Sequence, residues 1–255
     1  MSDFDVETHS LDAFLGGRIR LWQPKTGYRA GIDPVLLAAS LNIVPGQSVL
    51  DLGCGAGQML FCLSARVRDL TLVGLERQEE YASLAKRNGI ENNVSLEIHH
   101  ADLAELPAAL RSQSFDHIVM NPPYYSKGAH SSARDTGRAM ALGEDTPMDL
   151  WLSVAAKRLK PKGYVHAIQR ADRLPELLAA CDGRFGSVEV LPLAARSDRS
   201  PDRVILRARK DGRAPFRLHA AFVLHEGERH EGDRESYRSE VRAILREGAT
   251  LPWPN

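Results

Sequence analysis

The sequence predicts an α/β fold: a Rossmann-like, mostly parallel seven-stranded sheet with helices on both faces and an antiparallel edge strand. Two observations support this fold class. From Pro45 onward, short apolar runs alternate with amphipathic segments, and a glycine-rich stretch at residues 51–57 (DLGCGAG) follows the first of these runs. Alternating strands and helices favour a parallel sheet covered on both faces.

The individual elements follow from apolar periodicity and from turn residues. In chain order, we predict strands at 48–52, 71–75, 94–99, 115–120 and 164–168, with helices at 58–67, 79–88 and 149–159. Gly89 is expected to end the second of these helices. A helix at 174–181 precedes two strands, 187–193 and 203–209, which are close enough to pair antiparallel at one edge.

The segments outside this series have weaker patterns. Residues 1 to about 10 are expected to be a frayed tail, and 15–21 a short hairpin outside the core, turning at Gly16-Gly17. Asp33-Pro34 is typical of a helix start. Near the end of the sequence we expect one more strand within 216–224 and a helix at 237–246.

Composition restricts the function classes. Lys+Arg and Asp+Glu both total 33, so the net charge does not itself indicate a nucleic-acid partner. The three cysteines lack C-x-x-C spacing, and the histidines lack nearby carboxylates at ligand spacing, so we expect neither disulfides nor a metal. Because no signal peptide or membrane-length apolar run is visible, we expect a cytoplasmic protein with no membrane association.

The glycine-rich stretch is placed to bind a ligand, since open α/β sheets bind ligands at the carboxyl ends of their strands. Gly53 and Gly55 let the backbone approach that ligand. The dinucleotide pattern G-x-G-x-x-G/A fails here, because its last position falls on Gln58 or Leu60. Cys54 has no neighbouring base that would make it a nucleophile.

Three acids lie at or after the ends of successive predicted strands. Asp51 is placed to accept a hydrogen bond from an ammonium group, Glu76 from two ribose hydroxyls and Asp102 from an adenine amino group. Singly, each is a common polar strand end, and the glycines form a common strand-to-helix turn. Together and in this order they predict S-adenosylmethionine, whose sulfonium is positively charged, as the cofactor.

Asn121-Pro122-Pro123-Tyr124 directly follows the predicted strand 115–120, at the same edge of the sheet. The side-chain carbonyl of Asn121 and the backbone carbonyl of Pro122 are placed to accept the two N–H groups of a planar amide or exocyclic amine. Pro122 and Pro123 stiffen the segment, and Tyr124 is placed to stack on a planar substrate. The alternative is an ordinary turn followed by interface aromatics.

These features resemble the class I S-adenosylmethionine methyltransferases, and the Asn-Pro-Pro-Tyr segment resembles their amino-methylating branch. Within that branch the sequence is most similar to bacterial tRNA adenine-N6 methyltransferases that act on the anticodon-adjacent adenine of valine tRNA. The likeness lies in residues 25–33 (KTGYRAGID), 51–57 and 121–125, with residues 201–204 a weaker fourth stretch. It implies that Tyr28, Arg29 and Asp33 cover the cofactor, and that Asn121 also lies beside it.

We expect three segments: 1–44 (tail, hairpin and cover helix), 45–210 (methyltransferase domain) and 211–255 (a strand and helix that extend it). The resemblance favours adenine N6 in tRNA as the target, with a protein glutamine amide or rRNA guanine N2 as alternatives, and an inactive binding module as a remote one. The oligomeric state is left open.

The basic segment 196–217 offers two interpretations: its arginines, together with Lys127, Arg134 and Arg138, steer an RNA backbone, or they mark a solvated strand edge. We expect substrate choice to lie in residues 126–130 and in the arginines near 200.

Overall fold

The computed structural model describes residues 7–123, 146–227 and 236–254. Within these ranges the strands are β1 (His9–Phe14), β2 (Ile19–Pro24), β3 (Ser48–Leu52), β4 (Thr71–Glu76), β5 (Glu97–His100), β6 (Phe115–Met120), β7 (Leu159–Arg170), β8 (Gly186–Ala194), β9 (Arg203–Arg209), β10 (Arg217–Leu218) and β11 (Phe222–Val223). The helices are α1 (Asp33–Ser40), α2 (Gln58–Arg66), α3 (Glu79–Asn92), α4 (Ala108–Arg111), α5 (Met148–Arg158), α6 (Leu174–Cys181) and α7 (Ser239–Glu247). Short 3-10 turns occupy Leu15–Gly17 and Ala171–Arg173.

The main sheet has the strand order β5-β4-β3-β6-β7-β9-β8, with the two-residue strands β10 and β11 paired to β8. The strands from β5 to β7 are parallel, and β9 runs antiparallel to both β7 and β8. The predicted fold class is therefore confirmed, with β9 as the antiparallel strand between β7 and β8.

Helices cover both faces because the parallel strands are apolar on both sides. Val49 of β3 belongs to a cluster packed under α1, α2 and α7. Its neighbour Leu50 points the other way, into a cluster with α5 and α6. Successive strand residues face opposite sides of a sheet, so each face needs its own helical layer.

The N-terminal hairpin differs from the prediction in two ways. β1 begins at His9, within the segment expected to be frayed, and pairs with β2 from His9↔Pro24 to Phe14↔Ile19. The hairpin is also part of the core, since Leu15, Ile19 and Leu21 are buried. Two side chains of α3 secure it, because the Asn88 and Asn92 amide oxygens accept the backbone N–H groups of Trp22 and Arg20, respectively.

The predicted end of α3 at Gly89 was wrong. The helix continues to Asn92 and ends at Asn93, whose φ of 52° lies in the left-handed region. Gly89 instead leaves space for Leu96, since a Cβ at this position would overlap the Leu96 side chain. The glycine therefore serves helix-to-strand packing rather than helix termination.

The C-terminal segment is only partly regular. The strand expected within 216–224 is divided into β10 and β11, and the expected terminal helix is α7. The Leu251 N–H donates to the Ala39 carbonyl and the Trp253 indole N–H to the Ser40 carbonyl, both at 2.8 Å. Buried side chains of the hairpin, α1 and α7 share one cluster with the sheet. The three segment boundaries stay predictions.

Candidate functional site

A cavity of about 300 Å³ lies at the carboxyl ends of β3, β4 and β6. Parallel pairing brings these ends together, with Asp51 beside Gly74 and Leu52 beside Met120. Its walls include most of the predicted cofactor and catalytic residues: Tyr28, Arg29, Asp51, Gly53, Gly55, Glu76, Asp102, Asn121, Pro122 and Pro123. Tyr124, and the residues 125–138 to which substrate choice and RNA steering were partly attributed, lie outside the described residues.

The glycine loop between β3 and α2 has a backbone that ordinary side chains disfavour. Gly53, Gly55 and Gly57 have φ values of 69°, 54° and 88°. The N–H groups of Gly53 and Cys54 both donate to the Leu75 carbonyl, at 2.8 and 3.0 Å, which fixes the loop to β4. A Cβ at Gly53 would lie 2.9 Å from the Trp151 ring.

Two buried carboxylates form the polar wall of the cavity. Asp51 and Glu76 are 4% and 7% exposed. Glu76 accepts the Gly55 N–H on Oε2 at 2.9 Å and the Gln78 N–H on Oε1 at 2.8 Å. Each oxygen keeps a second lone pair for a hydroxyl donor.

Burial raises the pKa of both carboxyl groups, and the charge of Glu76 further raises the pKa of Asp51. Within the described ranges no lysine or arginine forms an ion pair with Asp51. A ligand carrying an ammonium, a sulfonium and hydroxyl donors would satisfy this wall, so these residues fit S-adenosylmethionine. The same burial and carboxylates raise the pKa of the Cys54 thiol, which keeps the thiol protonated.

Asp102 lies at the half-exposed rim of the cavity. Its Oδ1 accepts the Ala104 N–H at 2.8 Å, and its Oδ2 lies 3.8 Å from the Arg77 guanidinium. Beside it, Leu103 and Trp151 supply an apolar wall. An acceptor beside apolar side chains matches the amino group and flat face of an adenine ring.

Asn121 lies directly after β6 and projects into the same cavity. Its Nδ2 is 3.5 Å from the Tyr28 hydroxyl. Its Oδ1 is buried and accepts no hydrogen bond from any described residue. A buried acceptor without a donor is costly, so an N–H group from a ligand would be favourable here.

Tyr28 closes the cavity over Asn121. The Tyr81 hydroxyl accepts the Tyr28 N–H and donates to the Tyr28 carbonyl, both at 3.0 Å. Burial, followed by the charges of Asp33 and Asp51, raises the pKa of the Tyr28 phenol, which therefore stays neutral. The segment that carries Tyr28 is thus held by α3.

A hydrogen-bond network joins the hairpin to the cavity. Gln58 lines the cavity, and its Nε2 donates to Gln23 Oε1 at 3.0 Å. Gln23 Nε2 in turn donates to Asp12 Oδ2 at 2.6 Å. Arg29 lines the cavity, but its guanidinium pairs with Asp12 and donates to the Pro24 carbonyl. The position of this wall therefore depends on the hairpin.

One predicted cofactor residue, Asp33, does not line the cavity. Its Oδ2 accepts from the Arg203 guanidinium at 3.0 Å, which joins α1 to β9. Conversely, sequence reasoning did not identify some lining residues, which are Pro34, Gln58, Met59, Arg77, Gln78, Tyr81, Leu103, Thr146 and Trp151. Gln58 and Tyr81 have a visible signal, because they lie in the first turns of α2 and α3, directly after strand-end loops.

The basic segment 196–217 is largely occupied by contacts within the protein. Arg196 donates to the Gly227 carbonyl at 2.8 Å, and Lys210 Nζ to the Ala156 and Leu159 carbonyls at 2.7 and 2.8 Å. Arg207 pairs with Glu189 at 2.9 Å. Because β9 lies between β7 and β8, its arginines do not mark a sheet edge.

Within the described residues, no cluster of three or more histidine, cysteine or acidic side chains is arranged to hold a metal. No described helix is both long and apolar enough to cross a membrane.

Comparison with known proteins places the chain in a family. The methyltransferase small domain model matches residues 32–191. A protein from Porphyromonas gingivalis named tRNA1(Val) (adenine(37)-N6)-methyltransferase is 30% identical over 204 residues, which are 76% of this chain and 79% of that protein. A protein of the same name from Actinobacillus succinogenes is 29% identical over 167 residues, 64% of this chain and 69% of the relative.

Solved structures agree with the fold. A predicted O-methyltransferase from Agrobacterium tumefaciens superimposes with a TM-score of 0.67 at 25% identity, covering 86% of this chain and 98% of its own. The 16S rRNA N2 G1207 methyltransferase from Thermus thermophilus, solved with AdoMet and guanosine, has a TM-score of 0.57 at 22% identity, covering 79% and 50%. The chain therefore belongs to the methyltransferase small domain family and is an S-adenosylmethionine-dependent methyltransferase.

Proposed function

We propose that the protein methylates the exocyclic N6 amino group of an adenine in tRNA. The observation that carries this proposal is Asn121, which lines the cofactor cavity and whose buried Oδ1 accepts no hydrogen bond from the described residues. An amino N–H is the donor that this oxygen needs. The names of the relatives supply the choice of adenine and tRNA.

The catalytic task is to orient a weak nucleophile. The nitrogen lone pair of an exocyclic amine is delocalised into its ring. Asn121 Oδ1 accepts one N–H and the Pro122 carbonyl accepts the other, which turns the lone pair toward the cofactor cavity. Bound S-adenosylmethionine supplies a methyl group on a positively charged sulfonium. Pro123 stiffens the segment, and Tyr124 is assigned the stacking contact with the base.

The remaining site residues hold the cofactor. We assign the ammonium group to Asp51, the ribose hydroxyls to Glu76 and the adenine amino group to Asp102. Gly53 and Gly55 allow the close approach of the backbone. Tyr28 and Arg29 form the wall on the hairpin side, whereas Asp33 pairs with Arg203 and joins α1 to β9.

The test is transfer of labelled methyl groups to separate tRNA, rRNA and protein fractions, followed by nuclease digestion and mass spectrometry of the nucleosides. Label in N6-methyladenosine from tRNA, lost on RNase treatment, supports the proposal. Label in N2-methylguanosine or in protein glutamine would refute it in favour of the corresponding alternative. A cytoplasmic location, where tRNA is available, is part of the same proposal.

Asn121→Ala separates catalysis from cofactor binding. Removing one of two orienting contacts should lower transfer by about 100-fold or more, while the cofactor Kd stays within about threefold. Asn42→Ala is the matched control, because Asn42 is exposed and lies at the opposite end of the sheet. Transfer by the Asn121 variant at the control's rate would exclude the assigned role.

A further inference from the structure

The backbone of the catalytic segment lacks internal donors. Pro122 and Pro123 have no N–H groups, so the turn contributes carbonyl oxygens and little to hold them. Donors for these carbonyls must come from elsewhere. Both come from the end of β7 and the turn that follows it.

Gln169, near the end of β7, donates from Nε2 to the Pro122 carbonyl at 3.2 Å. Arg173, in the following 3-10 turn, donates from Nη1 to the Pro123 carbonyl at 3.0 Å. Arg173 is itself fixed by Glu176, which accepts from its Nε at 3.0 Å and from its Nη2 at 2.7 Å. The two prolines are therefore anchored to one neighbouring element.

The orientation of the Gln169 amide is determined by its partners. Its Oε1 accepts the backbone N–H of Arg170 at 2.8 Å, so the opposite end of the amide is the donor facing Pro122. Gln169 is 0% exposed, so bulk solvent does not reach this contact. A carbonyl has two lone pairs, and this contact occupies one of them.

We infer that Gln169 is a positioning residue: it occupies one lone pair of the Pro122 carbonyl and directs the other toward the substrate amine. The inference rests on the proposed function, because it assigns the second lone pair to that amine. Gln169 does not touch the substrate. Its effect is on the direction of an acceptor, and displacement of a reacting group by about 1 Å costs up to about 100-fold in rate.

The first test is Gln169→Leu, which removes the donor at similar volume. We expect kcat to fall by about 10- to 100-fold, while the KM for the methyl donor changes by less than about threefold. Gln47→Leu is the control: it also removes an amide that accepts a backbone N–H, although Gln47 is half-buried and lies before the amino-terminal end of β3. Retention of kcat by a folded Gln169→Leu variant would overturn the inference.

The second test is Gln169→Glu, whose protonated form offers the same donor and acceptor as the amide. The ionised form places an anion against the Pro122 carbonyl. Burial favours the protonated acid, so the ratio of variant to wild-type kcat should rise as the pH is lowered from about 8.5 to 6. A merely structural role predicts no such profile, and a ratio independent of pH would count against positioning.

A crystal structure of Gln169→Leu gives a readout that does not depend on substrate. The Pro122 carbonyl should rotate away from its wild-type direction, with Asn121 and the glycine loop unchanged. An unmoved carbonyl would overturn the inference whatever the substrate proves to be. Conversely, absence of wild-type transfer to tRNA would refute the proposed function, and a displaced carbonyl would still support the positioning role.

Discussion

Two buried histidines face each other across the paired strands β6 and β7. His117 Nδ1 lies 3.1 Å from His166 Nε2, and His117 Nε2 lies 3.2 Å from Gln47 Oε1. Gln47 Oε1 also accepts the Val44 N–H at 2.9 Å, which determines the orientation of the Gln47 amide. His117 therefore donates from Nε2, and in its neutral form it accepts at Nδ1 from His166 Nε2.

A single proton fits between His117 Nδ1 and His166 Nε2, so the two imidazoles cannot both be charged. Burial lowers the pKa of His117 to about 4 from its ordinary value of 6.5, against the opposing effect of the Asp116 carboxylate. The pKa of His166 is well below its ordinary value, first through burial and then through the charges of His117 and Arg207. Below about pH 6.5 the folded protein therefore binds fewer protons at these two histidines than the unfolded chain does.

The direction in which stability changes with pH follows from this difference in proton binding. A histidine with a depressed folded pKa contributes its full stability above the unfolded value of 6.5, and that contribution is lost as the pH falls toward 4. From about pH 7.5 to about pH 5, His117 alone should reduce the free energy of unfolding by about 2 kcal/mol. His166 acts in the same direction.

Urea unfolding of wild type and His117→Gln, followed by circular dichroism at both pH values, measures this loss. Glutamine keeps a polar group but does not titrate, so the variant should lose about 2 kcal/mol less than wild type between the two values. Carboxylates titrate equally in both proteins and cancel in the difference. Equal losses in wild type and variant would refute the assignment of the effect to His117.

Two further predictions concern the cofactor cavity. Gly53→Ala should lower stability by about 1–2 kcal/mol through its positive φ, and its Cβ, 2.9 Å from the Trp151 ring, should also weaken cofactor binding by about tenfold. Gly46 also has a positive φ, but a Cβ there would meet open space, so the cofactor Kd of Gly46→Ala measured by calorimetry should be unchanged. An equal loss of cofactor affinity in both variants would exclude the Trp151 contact as its cause. Glu76→Gln turns an acceptor of backbone N–H groups into a partial donor and should weaken binding by about 10- to 100-fold, whereas exposed Glu105→Gln should not.

Local sequence signals predicted much of the fold. The strand at 48–52 and the helix at 174–181 have the predicted bounds, because each is an apolar run closed by turn residues. Gly89 misled the prediction, since a glycine that gives space to Leu96 looks the same in sequence as one that ends a helix. The buried face of the hairpin also depends on partners that are distant along the chain.

Like the fold, the site could be predicted from the sequence only in part. Asp51, Glu76 and Asn121 lie at or directly after the ends of strands, and their convergence results from parallel pairing, which the alternating pattern predicts. Trp151 lines the cavity from α5, and no local sequence pattern indicates that role. The arginines near 200 were counted as free charge, because a sequence lists charges without their partners, and Arg203 pairs with Asp33.

The strand order has a consequence for the unit that this family shares. The family model ends at residue 191, yet β8 (Gly186–Ala194) joins the main sheet only through β9 (Arg203–Arg209), which lies beyond it. The model also begins after Tyr28 and Arg29, which form one side of the cavity. A fragment cut at 32–191 would leave β8 without its neighbour and the cavity open on one side. The sheet and the cavity therefore both depend on segments that lie outside the matched region.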